Sequence, residues 1–493
     1  MAQLLPHPIT RMQSFRALPF NTDSYKCSMW VQYPPGTEYV YSYIESRGGE
    51  FDRVLHGGLQ PFLYYLEHRV TEAEVLAAAE IWAAHGEPFP LDDWLYIARE
   101  LGGKIPVRIR SVAEGLVIPT RNVLVTIENT DTRVPWITTW VETALLRAVW
   151  YFSTVATVSW HIKQLCASYL EKSADAMDAL AFRLHDFGAR GVSSQESAEI
   201  GGAAHLINFL GTDTFGAIPF LMSFYGAQAN EVGFSIAAAE HSTITSWTRD
   251  MELAVDGPYM NMIKKFAGEN KIFACVMDSY DILRAVETVS TGEHFAALKA
   301  AGGLMVLRPD SDDPTVIIPK ILRILEKNSG STLNSKGYKV LNNFRIIWGD
   351  GINRQTIAAI LRIAVDMMGY SAENFAFGMG GALLQKVDRD TLQYAMKCCS
   401  IVVNGVQYEV YKQPAGIVAK ASKKGRVTLY KNAAGQYYNG LQEIGKTDEL
   451  HNVFADGDVL KAWVLSELRA NSNLPVCENA PAGHSAGIYA SQS

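Results

Sequence analysis

Six short apolar runs, each closed by a polar or glycine cluster and followed by a helical stretch, constrain this chain more than any other feature. They are ALAFRLHD (179–186), FSIAAAEH (234–241), IFACVMD (272–278), GLMVLRPD (303–310), FRIIWGDG (344–351) and NFAFGMGG (374–381). Continuous apolar strands alternating with helices call for a parallel sheet covered on its faces. Six such units between about Ala179 and Lys397 predict a closed or nearly closed α/β barrel. In barrels the chemistry collects at the C-terminal strand ends. Here those ends carry His185, Asp186, His241, Asp278, Arg308, Asp310, Asp350 and the Gly380–Gly381 pair.

The remaining sequence has a different texture. VRIRSV (107–112) and NVLVTIE (122–128) alternate like half-buried strands, and Thr71 to Ala84 reads as a helix. From about Trp136 to Leu170 the apolar spacing is helical and long. After Lys397 the strand texture returns, in Ile401 to Tyr411 and Val427 to Tyr430, around a basic loop from Lys420 to Arg426. A chain of 493 residues exceeds a single core, which stops growing near ~250–300 residues. The expected architecture is therefore an irregular α/β barrel (146–397) beside a second, β-rich lobe formed by both chain ends (1–145 and 398–493). About the first 20 residues and those from Pro475 to Ser493 are expected to be loosely held.

With a net charge of −7, nothing global draws the chain to nucleic acid, so an anion site must be built from local Arg and Lys. No run of 18 or more apolar residues and no secretory leader are present, so neither a membrane span nor export is expected. The six scattered cysteines form no CxxC pair, which fits reduced thiols in the cytoplasm.

Four motifs carry candidate chemistry. Arg308-Pro309-Asp310-Ser311 combines a planar phosphate fork with a carboxylate two residues on, although an ion pair capping a loop has the same sequence. Phe377-Gly378-Met379-Gly380-Gly381 and Gly349-Asp350-Gly351 sit at consecutive strand ends. Both suit backbone N–H groups approaching a phosphate, and both also suit plain turns. His241 opens a helix in Ala239-Glu240-His241-Ser242-Thr243, where it serves as base, nucleophile or phosphate ligand, or simply packs. In His185-Asp186-Phe187-Gly188-Ala189-Arg190-Gly191, Phe187 suits a flat heterocycle and Arg190 a phosphate; a packed ring and a surface cation are the alternative. Neither a Walker A loop nor a GxGxxG fingerprint after a strand is present.

Taken in order, TDSYK, YPPGT, YSYIESR, GLVIP, NVLVTIENTD, HDFGARGVSSQE, GTDT, AAEHSTIT, DSYDI, RPDS, GDG, FGMGG, LLQK and SKKGR span essentially the whole chain. In these the chain closely resembles the nicotinamide phosphoribosyltransferases, type II phosphoribosyltransferases. The resemblance implies transfer of nicotinamide onto 5-phosphoribosyl 1-pyrophosphate (PRPP) in NAD salvage, with Mg²⁺ on the pyrophosphate and ATP as co-substrate. It also implies a homodimer with shared active sites. Phe187 and Tyr25, the latter from the partner, are implied to sandwich the pyridine ring, with Asp23 beside them and Asp213 accepting from the carboxamide. Arg190 and Arg308 would hold phosphates with the partner's Arg47, Arg389 and Lys397. Asp310 would hold ribose hydroxyls, and Gly349, Asp350, Gly380 and Gly381 the 5-phosphate. His241 would be phosphorylated by ATP and oriented by Asp278. The alternatives are a nicotinate or quinolinate enzyme, which Asp213 disfavours by charge, and a catalytically silent binding protein of the same fold. Departures from the family pattern are Asp312 and Asp313, where Gly and Asn usually follow RPDS, and Ala274, Met277, Ala395 and the FGMGG loop.

Overall fold

A computed structural model describes residues 17–413, 421–485 and 487–489. The chain divides into two units, Met1–Thr157 with Phe224–Gly226 and Asp388–Ser493, and Val158–Ser223 with Ala227–Val387. These boundaries differ from the 145/146 and 397/398 read in the sequence. The long helix Ile137–Ser173 runs through the first boundary, and strand Tyr394–Val403 belongs to the antiparallel sheet of the first unit.

The second unit is built on a six-stranded parallel sheet. Its order is Gly211–Thr212, Leu184–Asp186, Phe375–Met379, Phe344–Trp348, Leu304–Arg308 and Ile272–Val276. The segment 234–239 joins its two edges. Phe234 bridges Gly211, and Ala238 bridges Ala274, both in parallel. Phe234 N–H donates to Leu210 O at 2.7 Å, and Ala274 N–H donates to Ala237 O at 2.9 Å. The ring of strands thereby closes. FSIAAAEH is thus a pair of bridges rather than a full strand, for its exposed alanines offer little side chain to pack on a pleated surface.

Side chains alternate along each strand. Ala274, Val306 and Ile347 form one cluster with Phe187 and Ala376, while Phe273, Cys275, Met305, Leu307, Ile346 and Trp348 are buried at the alternate positions. Only the end of ALAFRLHD is extended, because Asp178–Phe182 is a 3-10 helix. The buried Arg183 guanidinium binds the carbonyls of Ala179, Glu373 and Phe375 at 2.9, 2.8 and 2.6 Å, and so fastens that turn to the start of strand Phe375–Met379.

The first unit is β-rich and drawn from both chain ends. Its seven-stranded antiparallel sheet runs Val406–Glu409, Tyr394–Val403, Thr37–Ser46, Val123–Asn129, Val107–Ser111, His451–Ala455 and Asp458–Val459. Helix Glu72–His85 starts at a capping box in which Thr71 accepts from Glu74 N–H. Residues 1–16, 486 and 490–493, and Lys420 of the basic loop, lie outside the described residues. The rest of the expected loose C-terminal stretch is instead held, because Tyr437 N–H donates to Glu478 O at 2.9 Å, Ala480 N–H donates to Tyr437 O at 2.7 Å and Ile488 is buried. No helix among the described residues is long and apolar enough to cross a membrane.

Candidate active site

The parallel pairing of His185 with Gly211 and Asp186 with Thr212 brings Phe187 and Asp213 to the same end of neighbouring strands. Phe187 needs its neighbour to be glycine, since a Cβ on Gly378 would stand 1.9 Å from the ring. The Arg308 guanidinium lies 5.7 Å from the Phe187 centroid. Arg190 is exposed on the turn Ala189–Gly191, which backs onto Gly381. A Cβ on Gly191 would be 3.4 Å from Gly381 N. Asp213 accepts at Oδ1 from Ser235 Oγ at 2.6 Å, which leaves Oδ2 for another donor.

Two of the strand-end groups are structural. Burial pushes the His185 imidazole down to about 4, and its Nε2 donates to Phe182 O at 3.1 Å. It is a neutral ring packed behind Phe187, 6.2 Å between centroids. Asp186 is fully buried, and its Oδ1 accepts from Gly188 N–H at 2.7 Å, shaping the turn that aims Phe187. Burial pushes its carboxyl up from 3.8 to about 6, against the lowering influence of Thr214 and Gly188. A carboxyl raised by folding favours the folded state at low pH and loses that contribution as pH rises through about 6, here on the order of 3 kcal/mol. Asp186→Asn keeps the acceptor without the charge. Its melting temperature relative to wild type should therefore rise by several degrees between pH 4 and pH 8. A difference that stays constant across that range would show that Asp186 does not titrate in this way.

Arg308 and Asp310 fasten three strand ends together. Arg308 Nη2 donates to Asp310 Oδ2 at 3.0 Å, and Arg308 Nη1 donates to Ala239 O at 3.0 Å. Gly349 N–H donates to Asp310 Oδ1 at 3.1 Å, where a Cβ on Gly349 would stand 3.0 Å away. Next to Gly349, the Asp350 carbonyl accepts from Trp348 Nε1 at 2.8 Å, so its carboxylate faces outward from an anchored turn.

His241 opens the short helix His241–Thr245 and is 54% exposed. Its Nε2 lies 2.9 Å from Oδ1 of Asp278, whose side chain is 6% exposed. The other carboxylate oxygen of Asp278 accepts from Ser311 Oγ. Asp312 has a φ of +72°, a conformation glycine adopts freely, which accounts for glycine in the family pattern. Asp313 is the N-cap of helix Pro314–Asn328 and accepts from Thr315 N–H at 2.8 Å, so its charge is engaged by the helix start.

The remaining expected residues lie in the first unit. Tyr25 is 60% exposed, with Lys26 Nζ 5.3 Å from its ring centroid. Asp23 is held by Thr143 Oγ1 at 2.6 Å. Burial lowers the Lys397 ammonium, Glu142 opposes that shift, and the nearby Arg47, Lys412 and Arg389 lower it further, so cations gather around it. Arg47 Nε donates to Glu45 Oε1 at 2.9 Å, and Glu45 also takes the buried Lys423 Nζ. Sequence reasoning missed Ser235, Ser311, Lys412 and Glu45. Ser235, Ser311 and Glu45 lie within FSIAAAEH, RPDS and YSYIESR, whereas nothing local to Lys412 announces its place beside Lys397.

Residues 182–458 match the nicotinate phosphoribosyltransferase (NAPRTase) family, and residues 17–109 match the N-terminal domain of nicotinamide phosphoribosyltransferase. The chain is 48% identical over 467 residues to a nicotinamide phosphoribosyltransferase of Xanthomonas campestris pv. campestris, covering 92% of this chain and 97% of that protein. A protein of the same name from Mycoplasma genitalium is 30% identical over 440 residues, covering 82% of this chain and 94% of that protein. Two crystal structures share the fold at 15% identity. One is nicotinate-nucleotide pyrophosphorylase from Pyrococcus furiosus, with TM-score 0.61 over 97% of this chain and 100% of that one. The other is human nicotinic acid phosphoribosyltransferase, with TM-score 0.52 over 92% of each.

Proposed function

The chain belongs to the nicotinamide phosphoribosyltransferases, within the NAPRTase family of pentosyl-transferring enzymes, and on that premise we propose that it converts nicotinamide and PRPP to nicotinamide mononucleotide and pyrophosphate. The pyridine nitrogen lone pair forms the bond to C1 of the ribose as the C1–O bond to pyrophosphate breaks, and pyrophosphate leaves with that electron pair. No proton transfer is required. The protein's task is to stack and orient the ring and to hold the charge that develops. Phe187 supplies the stacking face, Arg308 and Arg190 the cations, and Asp310 the acceptor for ribose hydroxyls. The turns at Gly349–Asp350 and Gly380–Gly381 supply N–H groups for the 5-phosphate.

Among the described residues, no group of three or more His, Cys, Asp or Glu is placed to hold a metal ion. Mg²⁺ would arrive on the pyrophosphate, where it would offset the leaving group's charge, and Asp310, whose oxygens already face Arg308 and Gly349 N–H, would meet it through a bound water. ATP enters at His241. Its Nε2 faces Asp278, so Nδ1 is the atom for attack on the γ-phosphorus, with the β–γ bridging bond broken and ADP released. Hydrolysis of the resulting phosphohistidine returns phosphate. In this reading the enzyme is a homodimer in which Tyr25, Arg47, Arg389 and Lys397 of the partner subunit complete each site. The exposure of Tyr25 and the cation cluster around Lys397 support that arrangement. The six cysteines are all free, which supports a reducing, cytoplasmic setting. The role in NAD salvage rests on the reaction itself, which makes a mononucleotide from free nicotinamide.

The observation that carries the choice of nicotinamide is Asp213. One of its oxygens is satisfied by Ser235 and the other is open beside the ring-stacking Phe187. A carboxylate that accepts from an amide NH₂ rejects an acidic substrate by charge and by a lost hydrogen bond, together on the order of 2–4 kcal/mol. Asp213→Ser should therefore narrow the kcat/KM preference for nicotinamide over nicotinate by about 30-fold or more. Unchanged relative kcat/KM for the two substrates would remove Asp213 from that role. Wild-type preference for nicotinate would overturn the substrate reading itself.

A further inference from the structure

Asp278 is held from two sides by different elements. Its Oδ1 meets Nε2 of His241, on the helix that follows the bridging segment 234–239, and its other oxygen meets the hydroxyl of Ser311. Ser311 sits in the loop that follows strand Leu304–Arg308, directly after the Arg308–Asp310 pair. We propose that Ser311 is a positioning residue that couples the state of His241 to the Arg308–Asp310 loop, through the carboxylate of Asp278 they share. The inference deepens the reading above and rests on phosphorylation of His241 by ATP.

The loop has few other ways to feel His241. Arg308 reaches the same segment only through the Ala239 carbonyl, a backbone contact two residues before His241. Asp310 is turned the other way, toward Gly349 N–H. Beyond Ser311, Asp313 is committed to the N-terminus of helix Pro314–Asn328, so that end of the loop is anchored. Ser311 is the side chain of this loop that reaches the His241–Asp278 pair.

The physical link is charge. A phosphoryl group on Nδ1 places about −1.5 to −2 charge beside an Asp278 carboxylate that has little access to water. Glu240, immediately before His241, adds a further carboxylate to the neighbourhood. The repulsion must be relieved by a shift of Asp278 or by a stronger pull from its remaining donor, and that donor is Ser311. A shift of one oxygen is then a shift of the loop that carries Arg308 and Asp310, the groups assigned to PRPP. Without the hydroxyl, Asp278 still has His241, but the loop loses its report of what His241 carries.

The test is the ratio of kcat/KM for PRPP with and without ATP, because the ratio cancels general damage to the site. The same preparations are labelled with γ-³²P-ATP to measure alkali-stable, acid-labile label on the protein. In wild type both ATP stimulation and label are expected, and His241→Ala should remove both. Ser311→Ala should keep the label yet lose about tenfold or more of the stimulation, the scale of a hydrogen bond to a charged group. Ser311→Thr, which keeps the hydroxyl, should recover it. Stimulation unchanged in Ser311→Ala would overturn the coupling role. Loss of label together with stimulation would also overturn it, since Ser311 would then act on the phosphorylation step itself. A wild-type protein with no label on His241 would sink the ATP reading first, and this inference with it.

Discussion

Replacing Arg308 with alanine should lower kcat/KM for PRPP by about 100- to 1,000-fold, the scale seen when a pre-organised donor is removed from developing charge. The expectation is large because Arg308 does several things at once. It pairs with Asp310 at 3.0 Å, holds the Ala239 carbonyl, and lies 5.7 Å from the Phe187 ring. Arg308 and Asp310 are 21% and 16% exposed, so the pair is only partly screened by water. Truncation leaves the Asp310 carboxylate without its cation at the place that must admit a diphosphate. Local attraction for the substrate then becomes repulsion. Arg308→Lys should recover only part of the loss, because an ammonium cannot fork to Asp310 and Ala239 together. Arg308→Ala combined with Asp310→Asn should lose less than the product of the two single losses, as removing the stranded charge offsets part of the damage. Steady-state kinetics at saturating nicotinamide measure each value. A loss below about tenfold for Arg308→Ala would mean that this guanidinium organises the loop without touching PRPP.

The barrel was legible because its strands announce themselves twice, by a continuous apolar run and by the polar cluster that ends it. Four of the six runs form strands within a few residues of the expected limits. The other two show where that logic fails. ALAF is apolar enough for a strand, yet the Arg183 guanidinium needs carbonyls at that level, and a 3-10 turn supplies one of them. SIAAAE spans a gap in the ring with exposed alanines, so two bridges replace a ladder. The same rule that found the site also drew in His185 and Asp186. Position at a strand end does not separate a side chain that shapes the loop from one that faces substrate; the partners do, Phe182 O for His185 Nε2 and Gly188 N–H for Asp186. Ser235, Ser311 and Glu45 act on other side chains rather than on a ligand, and such roles leave no signature in local sequence. Lys412 stands beside Lys397 because the strands Tyr394–Val403 and Val406–Glu409 fold back as a hairpin, a pairing that spacing alone does not specify.

The shared site makes the second large prediction. In the proposed dimer, Phe187, His241 and Arg308 of one subunit act with Tyr25 and Lys397 of the partner subunit. A chain carrying Tyr25→Ala and Lys397→Ala loses one ring face and one phosphate cation. A chain carrying Arg308→Ala loses the clamp on the other side. Each should be nearly inactive alone. Lys397→Ala removes a partly buried ammonium that Arg47, Lys412 and Arg389 oppose and Glu142 favours, so folding of this chain is checked by its melting temperature before mixing. In a mixed dimer related by a two-fold axis, one site collects both defects and the other collects neither. Random reassortment of equal amounts makes about half the dimers mixed, so about a quarter of all sites become intact. Mixing by co-expression, with differently tagged chains purified in tandem, should raise activity from near zero toward half of wild type in the isolated mixed dimers, where about one site in two is intact. If each site were built within one chain, a mixed dimer would hold one site damaged in each way and no intact site. Tandem-purified mixed dimers no more active than either parent would therefore exclude the crossing of Tyr25 and Lys397 into the partner's site.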